Sequence, residues 1–216
     1  MHNAPLPSPS HRRRWIVLVA LATILSAAIA VFAVVRSLGS SESSDPSGTA
    51  GVSVEISQST RRLTPDEANG VIPENAPFSV FDRRPAVSRL DPDLRAALRR
   101  AAQAAQAAGV RIRVNSGWRS PAYQRRLLRN AVTKYGSERE AARWVATAET
   151  SAHVSGDAVD LGPYAATNWL SEHGAAYGLC QIYRNEPWHY ELRPGAAGGG
   201  CPSMFPDPTF DPRMRR

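Results

Sequence analysis

Apolar and polar residues follow three distinct patterns along this 216-residue chain. Residues 15–35 form an uncharged, mainly apolar run, and residues 37–59 are rich in Ser and Gly. From about residue 78 onward, apolar positions recur at helical or strand spacing. A run of about 20 apolar residues can cross a bilayer as a helix, whereas a Ser- and Gly-rich stretch is too polar to build a core. The patterns therefore predict a membrane segment, a linker and one folded domain.

Helices in the domain are predicted where apolar residues recur at spacings of three and four. The first begins at Asp91, a typical N-cap residue followed by Pro92, and ends at Gly109. A second helix begins at Ser120. Further helices are predicted over residues 138–148 and 167–176.

Strands are predicted where apolar and polar residues alternate. The predicted strands cover residues 110–114, 157–161, 179–183 and 188–192. In the second of these, Val159 and Leu161 share one face and Asp160 lies on the other. In the last, His189 and Glu191 share one face. Helices early in the domain and paired strands late in it indicate an α+β fold, a small antiparallel sheet with helices packed on it.

The two late segments around these strands carry the candidate chemistry. Residues 150–162 and 185–191 together contain two His residues with Asp and Glu residues close by. Two imidazoles and one carboxylate suit Zn²⁺ and leave its fourth position for water, and a further carboxylate can accept the proton of that water. A lone histidine is more often solvated or hydrogen-bonded, and we keep that interpretation for His2, His11 and His173.

Three short blocks resemble the signature of the VanY-type D-alanyl-D-alanine carboxypeptidases, zinc metallopeptidases (peptidase family M15) that trim bacterial cell-wall peptides. The blocks lie between residues 78 and 193 and are Ser116-Gly117-Trp118-Arg119-Ser120 with Gln124, Ser151-x-His153-x-x-Gly156-x-Ala158-x-Asp160, and Glu186-x-Trp188-His189. The resemblance implies that zinc is bound by His153, Asp160 and His189. It also implies that Glu186 is the catalytic base and that Arg119 lies near the substrate.

The same resemblance makes three further residues candidates for substrate binding. Ser151 and Gln124 match family positions and are expected to hold the terminal carboxylate of the substrate, and Trp188 is expected in the pocket wall or the core. Simpler alternatives stay open at this point. Ser151 fits a turn, Gln124 fits a helix surface, and Arg119 fits a surface ion pair.

The implied function is removal of C-terminal D-Ala from peptidoglycan stem peptides. A D,D-dipeptidase, or an endopeptidase that cuts L-alanyl-D-glutamate, would use the same ligands, because the shape of the pocket decides between these substrates. The alternative from a different class is a non-catalytic, zinc-containing wall-binding module. The presence of both Glu186 and Arg119 argues against that module, and the sequence leaves the oligomeric state unknown.

The formal charge of +7 is unevenly distributed. Residues 1–36 contain four arginines and no acidic residue, so the high pI is a poor argument for a nucleic-acid partner. Three of these arginines precede the apolar run, which predicts that the N-terminus stays in the cytoplasm. The domain would then lie outside the cell membrane on a single-pass anchor. Secretion after cleavage near residues 28–30 is the alternative.

The predicted organisation assigns each part of the chain a role. It comprises a cytoplasmic tail (1–14), a transmembrane signal-anchor (15–36), a flexible linker (37–77), a zinc peptidase domain (78–205) and an irregular tail (206–216). Cys180 and Cys201 are the only cysteines. An even pair outside the membrane favours a disulfide over two free thiols. Such a bridge would close a loop that contains Glu186 and His189.

Overall fold

A five-stranded sheet organises residues 62–215, the part of the chain that the computed structural model describes. The strand order is β1-β2-β3-β5-β4, and each neighbouring pair is antiparallel. The strands are β1 (Phe78–Ser79), β2 (Arg113–Ser116), β3 (Ala158–Gly162), β4 (Leu179–Gln181) and β5 (His189–Leu192). This topology confirms the predicted α+β class with a small antiparallel sheet.

The helices of the described residues surround this sheet. They are α1 (Pro65–Ala68), α2 (Pro85–Ser88), α3 (Pro92–Ala107), α4 (Pro121–Tyr135), α5 (Glu138–Ala141), α6 (Ala152–Ser155), α7 (Tyr164–His173) and α8 (Ala196–Gly199). Short 3₁₀ helices cover Gly174–Tyr177, Pro208–Phe210 and Pro212–Arg215. No helix among the described residues is long and apolar enough to span a bilayer.

Helix α3 begins and ends close to the positions that its capping residues predict. The Asp91 carboxylate accepts hydrogen bonds from the backbone N–H groups of Asp93 and Leu94 at 2.9 and 3.0 Å. Beyond the helix, Gly109 adopts a positive φ of +77°, a conformation that glycine tolerates. The buried stripe of α3, which packs on β4 and β5, consists of Leu94, Ala97, Leu98, Ala101, Ala102 and Ala105.

The two faces of the sheet differ in chemistry. Val159, Leu161 and Tyr190 belong to the main hydrophobic core. Because side chains alternate along a strand, Asp160 and His189 lie on the opposite face. These two residues are direct cross-strand partners in the register of β3 and β5. The core therefore fixes one face of the sheet and leaves the other for the polar site.

The predicted disulfide joins Cys180 in β4 to Cys201, 21 residues further along the chain. Cys180 is fully buried in a second, smaller hydrophobic cluster with Ile182, Tyr183 and Ala196. The bridge closes the loop that contains β5, so it ties the segment after α8 to the edge of the sheet.

The helix predicted over residues 138–148 is shorter in the structure and ends at Ala141. Two backbone carbonyls beyond it are used by side chains from elsewhere in the fold. Asn185 Nδ2 donates to the carbonyl of Arg143 at 2.8 Å, and Gln124 Nε2 donates to the carbonyl of Ala146 at 2.9 Å. These tertiary contacts compete with the helical hydrogen bonds that the local sequence favours.

Both ends of the domain contain regular structure where linker or irregular tail was predicted. Helix α1 lies inside the predicted linker and is stabilised by a capping box, in which Thr64 and Glu67 each accept a hydrogen bond from the backbone N–H of the other. At the C-terminal end, Asp207 and Asp211 are buried and cap 3₁₀ turns. The predicted tail 1–14, the signal-anchor 15–36 and the first part of the linker lie outside the described residues.

Candidate metal centre and active site

Three short elements deliver the predicted metal ligands to one place. His153 lies on α6, which is followed by a C-cap residue, Gly156, with φ +89°. A Cβ at Gly156 would lie 2.7 Å from the carbonyl oxygen of Arg89, so both the conformation and the space require glycine. The turn leads directly into β3, which carries Asp160. Strand β5 begins with His189, opposite Asp160.

The distances between the three ligand atoms fit a tetrahedral metal site. His153 Nε2 and His189 Nδ1 are 3.3 Å apart, and they lie 3.3 and 3.4 Å from Asp160 Oδ1. Two ligands about 2.05 Å from a tetrahedral zinc ion are separated by about 3.3 Å. The oxygen Asp160 Oδ1 is buried and has no hydrogen-bond partner among the described residues. A cation between the three atoms would satisfy it, so the residues fit Zn²⁺.

In each imidazole, a hydrogen bond at one ring nitrogen leaves the other nitrogen available to bind a metal. His153 Nδ1 lies 2.9 Å from the carbonyl oxygen of Gly117, which can only accept, so Nδ1 carries the proton. His189 Nε2 lies 3.2 Å from the Glu191 carboxylate and donates in the same way. In its neutral form each ring therefore directs an unprotonated nitrogen towards Asp160, as a metal site requires.

The two imidazoles differ in their proton affinity. Burial and the charge of Arg119 lower the pKa of His153, which therefore stays neutral. Burial also lowers the pKa of His189, but the neighbouring carboxylates of Asp160 and Glu191 outweigh this effect and raise the pKa to about 9. A bound cation would displace that proton, so metal binding is expected to release protons.

Glu186 lies beside the three ligand atoms without belonging to their set. Its Oε2 is 3.6 Å from His189 Nδ1, and the residue is buried. The backbone N–H of His189 donates to the carbonyl of Glu186 at 3.0 Å, which fixes the turn before β5. Burial and the charge of Asp160 raise the pKa of Glu186 to about 7, against the opposing charges of His189 and Arg119. A carboxyl group in this position can exchange protons with a water molecule at the metal.

Arg119 contacts the metal site through Asp160. Its Nη2 donates to Asp160 Oδ2 at 2.7 Å, while Nε donates to Ser116 Oγ at 2.8 Å and Nη1 to Gln124 Oε1 at 3.2 Å. These contacts leave two of the five guanidinium N–H groups without a partner among the described residues. The ion pair between Arg119 and Asp160 is mostly shielded from solvent, with 13% and 11% of the two side chains exposed, so it is not a surface ion pair.

Of the remaining candidates, Gln124 is buried on α4, so its interpretation as a helix-surface residue is wrong. Its amide bridges Arg119 and the carbonyl of Ala146, which makes it a support for Arg119. Ser151 is buried at the start of α6, and its hydroxyl forms no hydrogen bond within the described residues. Trp188 is 40% exposed beside the site.

All eight catalytic, substrate-binding and metal residues predicted from the sequence line one cleft of about 510 Å³. This volume suits the end of a small peptide. The other wall of the cleft includes Lys134, Tyr135 and Trp144, which no sequence motif indicates. Tyr135 and Trp144 stack with their ring centroids 5.9 Å apart. Their positions depend on the packing of α4 against α5, for which no motif gives a signal.

The environment of Glu191 likewise has no motif in the sequence. This fully buried carboxylate accepts hydrogen bonds from Arg193 and Arg213 as well as from His189. Burial acts to raise the pKa of Glu191, but the hydrogen bonds from His189 and Arg213 outweigh this effect and lower the pKa below its usual value. The carboxylate therefore stays ionised. The alternation of apolar and polar residues in β5 placed Glu191 on the same face as His189, and this alternation is the sequence feature that indicated its position near the site.

A buried set of two histidines and one aspartate, with a separate carboxyl group beside it in an open cleft, is the arrangement of a zinc hydrolase site. A match to a family of known peptidases agrees with this arrangement. The model of the VanY family, described as D-alanyl-D-alanine carboxypeptidase, matches residues 87–194, which is half of the chain. The chain therefore belongs to the VanY family, as the sequence blocks predicted.

Individual relatives share part of the chain. A D-alanyl-D-alanine carboxypeptidase of Enterococcus faecalis (strain ATCC 700802 / V583) is 33% identical over 112 residues, covering 40% of this chain and 42% of that protein. The chain thus matches about two fifths of the length of this curated relative.

Solved structures with detectable similarity include the following two. One is a vancomycin-resistance D,D-pentapeptidase VanY in complex with Zn(II), which is 24% identical with a TM-score of 0.47 over 58% of this chain and 87% of that chain. The other is DacB from Streptococcus pneumoniae D39, which is 27% identical with a TM-score of 0.43 over 60% of this chain and 78% of that chain.

Proposed function

We propose that this protein is a zinc-dependent D-alanyl-D-alanine carboxypeptidase that removes terminal D-Ala from peptidoglycan stem peptides. The observation that carries the proposal is the convergence of His153, Asp160 and His189, with ligand atoms 3.3–3.4 Å apart. Glu186 beside them supplies the separate carboxyl group that hydrolysis needs. Membership of the VanY family supports the same activity.

His153, Asp160 and His189 would hold the zinc ion. When bound there, Zn²⁺ lowers the pKa of a water ligand towards about 7 and polarises a carbonyl group as a Lewis acid. The protein contributes the orientation of the ligands. Gly117 and Glu191 hold the two imidazole rings, and Arg119 holds the outer oxygen of Asp160.

Glu186 is the proton carrier of the proposed reaction. Its carboxylate takes a proton from the attacking water as the scissile carbonyl is attacked, and then passes that proton to the amine of the leaving D-alanine. The distance of 3.6 Å to His189 Nδ1 keeps Glu186 close to the ligand atoms while leaving it outside the metal set. The backbone turn between Glu186 and His189 maintains this separation.

Arg119 has two tasks in the proposed reaction. It fixes Asp160 by a hydrogen bond of 2.7 Å, and its remaining N–H groups place a permanent positive charge on the wall of the cleft. A substrate with a free C-terminal carboxylate, or the oxyanion formed during hydrolysis, is stabilised by such a charge. Ser151 offers a hydroxyl to the same cleft, and Trp188 an apolar surface.

The proposal also covers the position of the domain in the cell. We infer a single-pass anchor over residues 15–36 with the catalytic domain outside the membrane, because three arginines precede the apolar run. A disulfide is favoured in an oxidising compartment, which supports this orientation. Protease treatment of intact cells should remove the domain, and complete protection of the domain would contradict this orientation.

A product assay tests the activity directly. The full-length, zinc-loaded protein is incubated with a pentapeptide that ends in D-Ala-D-Ala, and the products are identified by mass spectrometry. We expect release of a single D-alanine from the wild type and none from the Glu186→Gln variant. Hydrolysis of free D-Ala-D-Ala to two D-alanines, with the pentapeptide left intact, would instead indicate a D,D-dipeptidase, and cleavage after the L-alanine would indicate an endopeptidase. No product from zinc-loaded protein would favour the non-catalytic wall-binding module.

A further inference from the structure

The C-terminal segment, which we define as residues 202–214, packs against the site although it lies beyond residue 194, where the family match ends. Phe205 forms a parallel bridge with Tyr183, just before Glu186 in the chain. The backbone bonds of this bridge run from Arg184 N–H to the Phe205 carbonyl at 2.8 Å, and from Phe205 N–H to the Ile182 carbonyl at 2.9 Å. The segment is thus attached to residues 182–184, which follow β4 and lead to Glu186.

Arg213 in this segment donates two hydrogen bonds to the carboxylate of Glu191. Its Nη1 donates to Glu191 Oε2 at 2.7 Å, and its Nη2 donates to Glu191 Oε1 at 3.1 Å. Paired bonds of this kind between a guanidinium and a carboxylate add geometric specificity to the charge attraction. Arg193 makes one further bond to Glu191, at 2.8 Å.

Arg213 is itself held in place by hydrogen bonds to Asp211. Its Nε donates to both carboxylate oxygens of Asp211, at 3.1 and 3.0 Å. Asp211 is fully buried and also accepts a hydrogen bond of 2.9 Å from the hydroxyl of Tyr183. The ring of Tyr183 lies 5.0 Å from the ring of His189. Asp211 therefore fixes the orientation of Arg213, and Tyr183, which donates to Asp211, also lies beside the imidazole of His189.

Glu191 in turn contacts a proposed metal ligand, since its Oε1 lies 3.2 Å from His189 Nε2. Two more residues of the C-terminal segment, Pro208 and Met214, line the cleft itself. The segment therefore reaches the site both through the support of His189 and through the cleft wall.

We propose that Arg213 is a positioning residue of the zinc site, and that the C-terminal segment is an integral part of this site. Arg213 fixes Glu191, and Glu191 fixes the ring of His189 with its Nδ1 directed at the metal. This inference rests on the proposed function, since it requires that His153, Asp160 and His189 bind zinc. Loss of a residue that orients a metal ligand typically weakens metal binding about 10–100-fold.

The test compares zinc affinity in variants of the full-length chain, measured by competition with a chelator of known affinity. We expect Arg213→Gln to bind zinc about 10–100-fold more weakly than the wild type. Arg213→Lys should be intermediate, since it keeps the charge but loses the paired hydrogen bonds. The matched control is Arg139→Gln, because the side chain of Arg139 is 90% exposed and its ion pair within the described part of the chain is with a neighbouring surface residue, Glu140. This control should bind zinc as the wild type does.

A spectroscopic measurement separates positioning from general stability. With Co²⁺ in place of zinc, the visible absorption spectrum reports the geometry of the ligands, and we expect it to change in Arg213→Gln and to stay unchanged in Arg139→Gln. Zinc affinity of Arg213→Gln within about twofold of the wild type, far from the loss expected for such a residue, would overturn the proposal. If Arg213→Gln does not fold, Arg213→Lys decides in the same way: weakened binding supports the proposal and wild-type binding overturns it.

The same data distinguish this inference from the proposed function. A wild type that binds zinc and releases D-alanine, together with an unaffected Arg213→Gln variant, would remove only the role of Arg213. A wild type that binds no zinc would remove the proposed function and the role of Arg213 with it.

Discussion

Glu186 lies next to the three proposed metal ligands but is not one of them. We predict that Glu186→Gln keeps one zinc per protein, because the amide leaves the three ligand residues untouched. Hydrolysis should fall by about 10²–10⁴-fold, the usual contribution of a general base. Metal analysis and the initial rate of D-alanine release measure the two quantities on the same sample. Hydrolysis at the wild-type rate would show that another group carries the proton.

His153 supplies one of three ligand atoms that lie 3.3–3.4 Å apart. We predict that His153→Ala loses stoichiometric zinc, because a His–Asp pair alone is an incomplete zinc site. The control is His173→Ala, which changes an exposed histidine at the end of α7. That variant should keep one zinc per protein. One tightly bound zinc in His153→Ala would contradict the proposed ligand set.

Residues within the three sequence blocks could be predicted, whereas residues that act through tertiary contacts could not. His153, Asp160, His189 and Glu186 were found because their spacing repeats a known signature. Strand alternation placed Glu191 on the ligand face but gave it no partner. Its partner Arg213 lies 22 residues further on, in a stretch that shows neither helical nor strand periodicity. Only the folded chain shows that the two side chains meet.

At the scale of single elements, α3 holds the sheet in place through its buried stripe. Leu98 in that stripe is fully buried, whereas Gln103 on the same helix is exposed. We predict that Leu98→Ala lowers the free energy of unfolding by about 2–5 kcal/mol, the usual cost of a large cavity in a core. Gln103→Ala should change it by less than about 0.5 kcal/mol. Denaturant unfolding compares both with the wild type, and equal effects would contradict the assigned faces of α3.

The disulfide stabilises the strand that carries His189. Its two cysteines are 21 residues apart, and closing a loop of this size contributes about 3 kcal/mol in the chain-entropy model. We predict that a reductant lowers the denaturant midpoint of the wild type. The Cys201→Ser variant should already have the lower midpoint and should not respond to the reductant. An identical midpoint of the wild type with and without reductant would contradict this role.

Element boundaries were predictable where the chain carries its own capping residues. Asp91 and Ser120 mark the starts of α3 and α4, and both cap the helix with their side chains as expected. The long helix predicted after Ser137 was wrong, because contacts from Gln124 and Asn185 take carbonyls that a helix would use. Local sequence cannot report such distant competition.

At the scale of the whole molecule, the site depends on strands that are distant in the sequence becoming neighbours. Strand β3 pairs with β5, although β4 lies between them in the chain. The sequence predicted the fold class from the alternation of its strands, but it did not predict this order, because pairing depends on contacts across the whole domain. That order makes Asp160 and His189 direct partners.

The central claim is that one zinc ion is held by His153, Asp160 and His189. The most direct measurement is an anomalous difference map, collected at the zinc absorption edge from crystals of the zinc-loaded, full-length protein. We predict a peak about 2.0–2.2 Å from His153 Nε2, His189 Nδ1 and Asp160 Oδ1. A map without a peak between these three atoms, from protein that contains zinc, would contradict the claim.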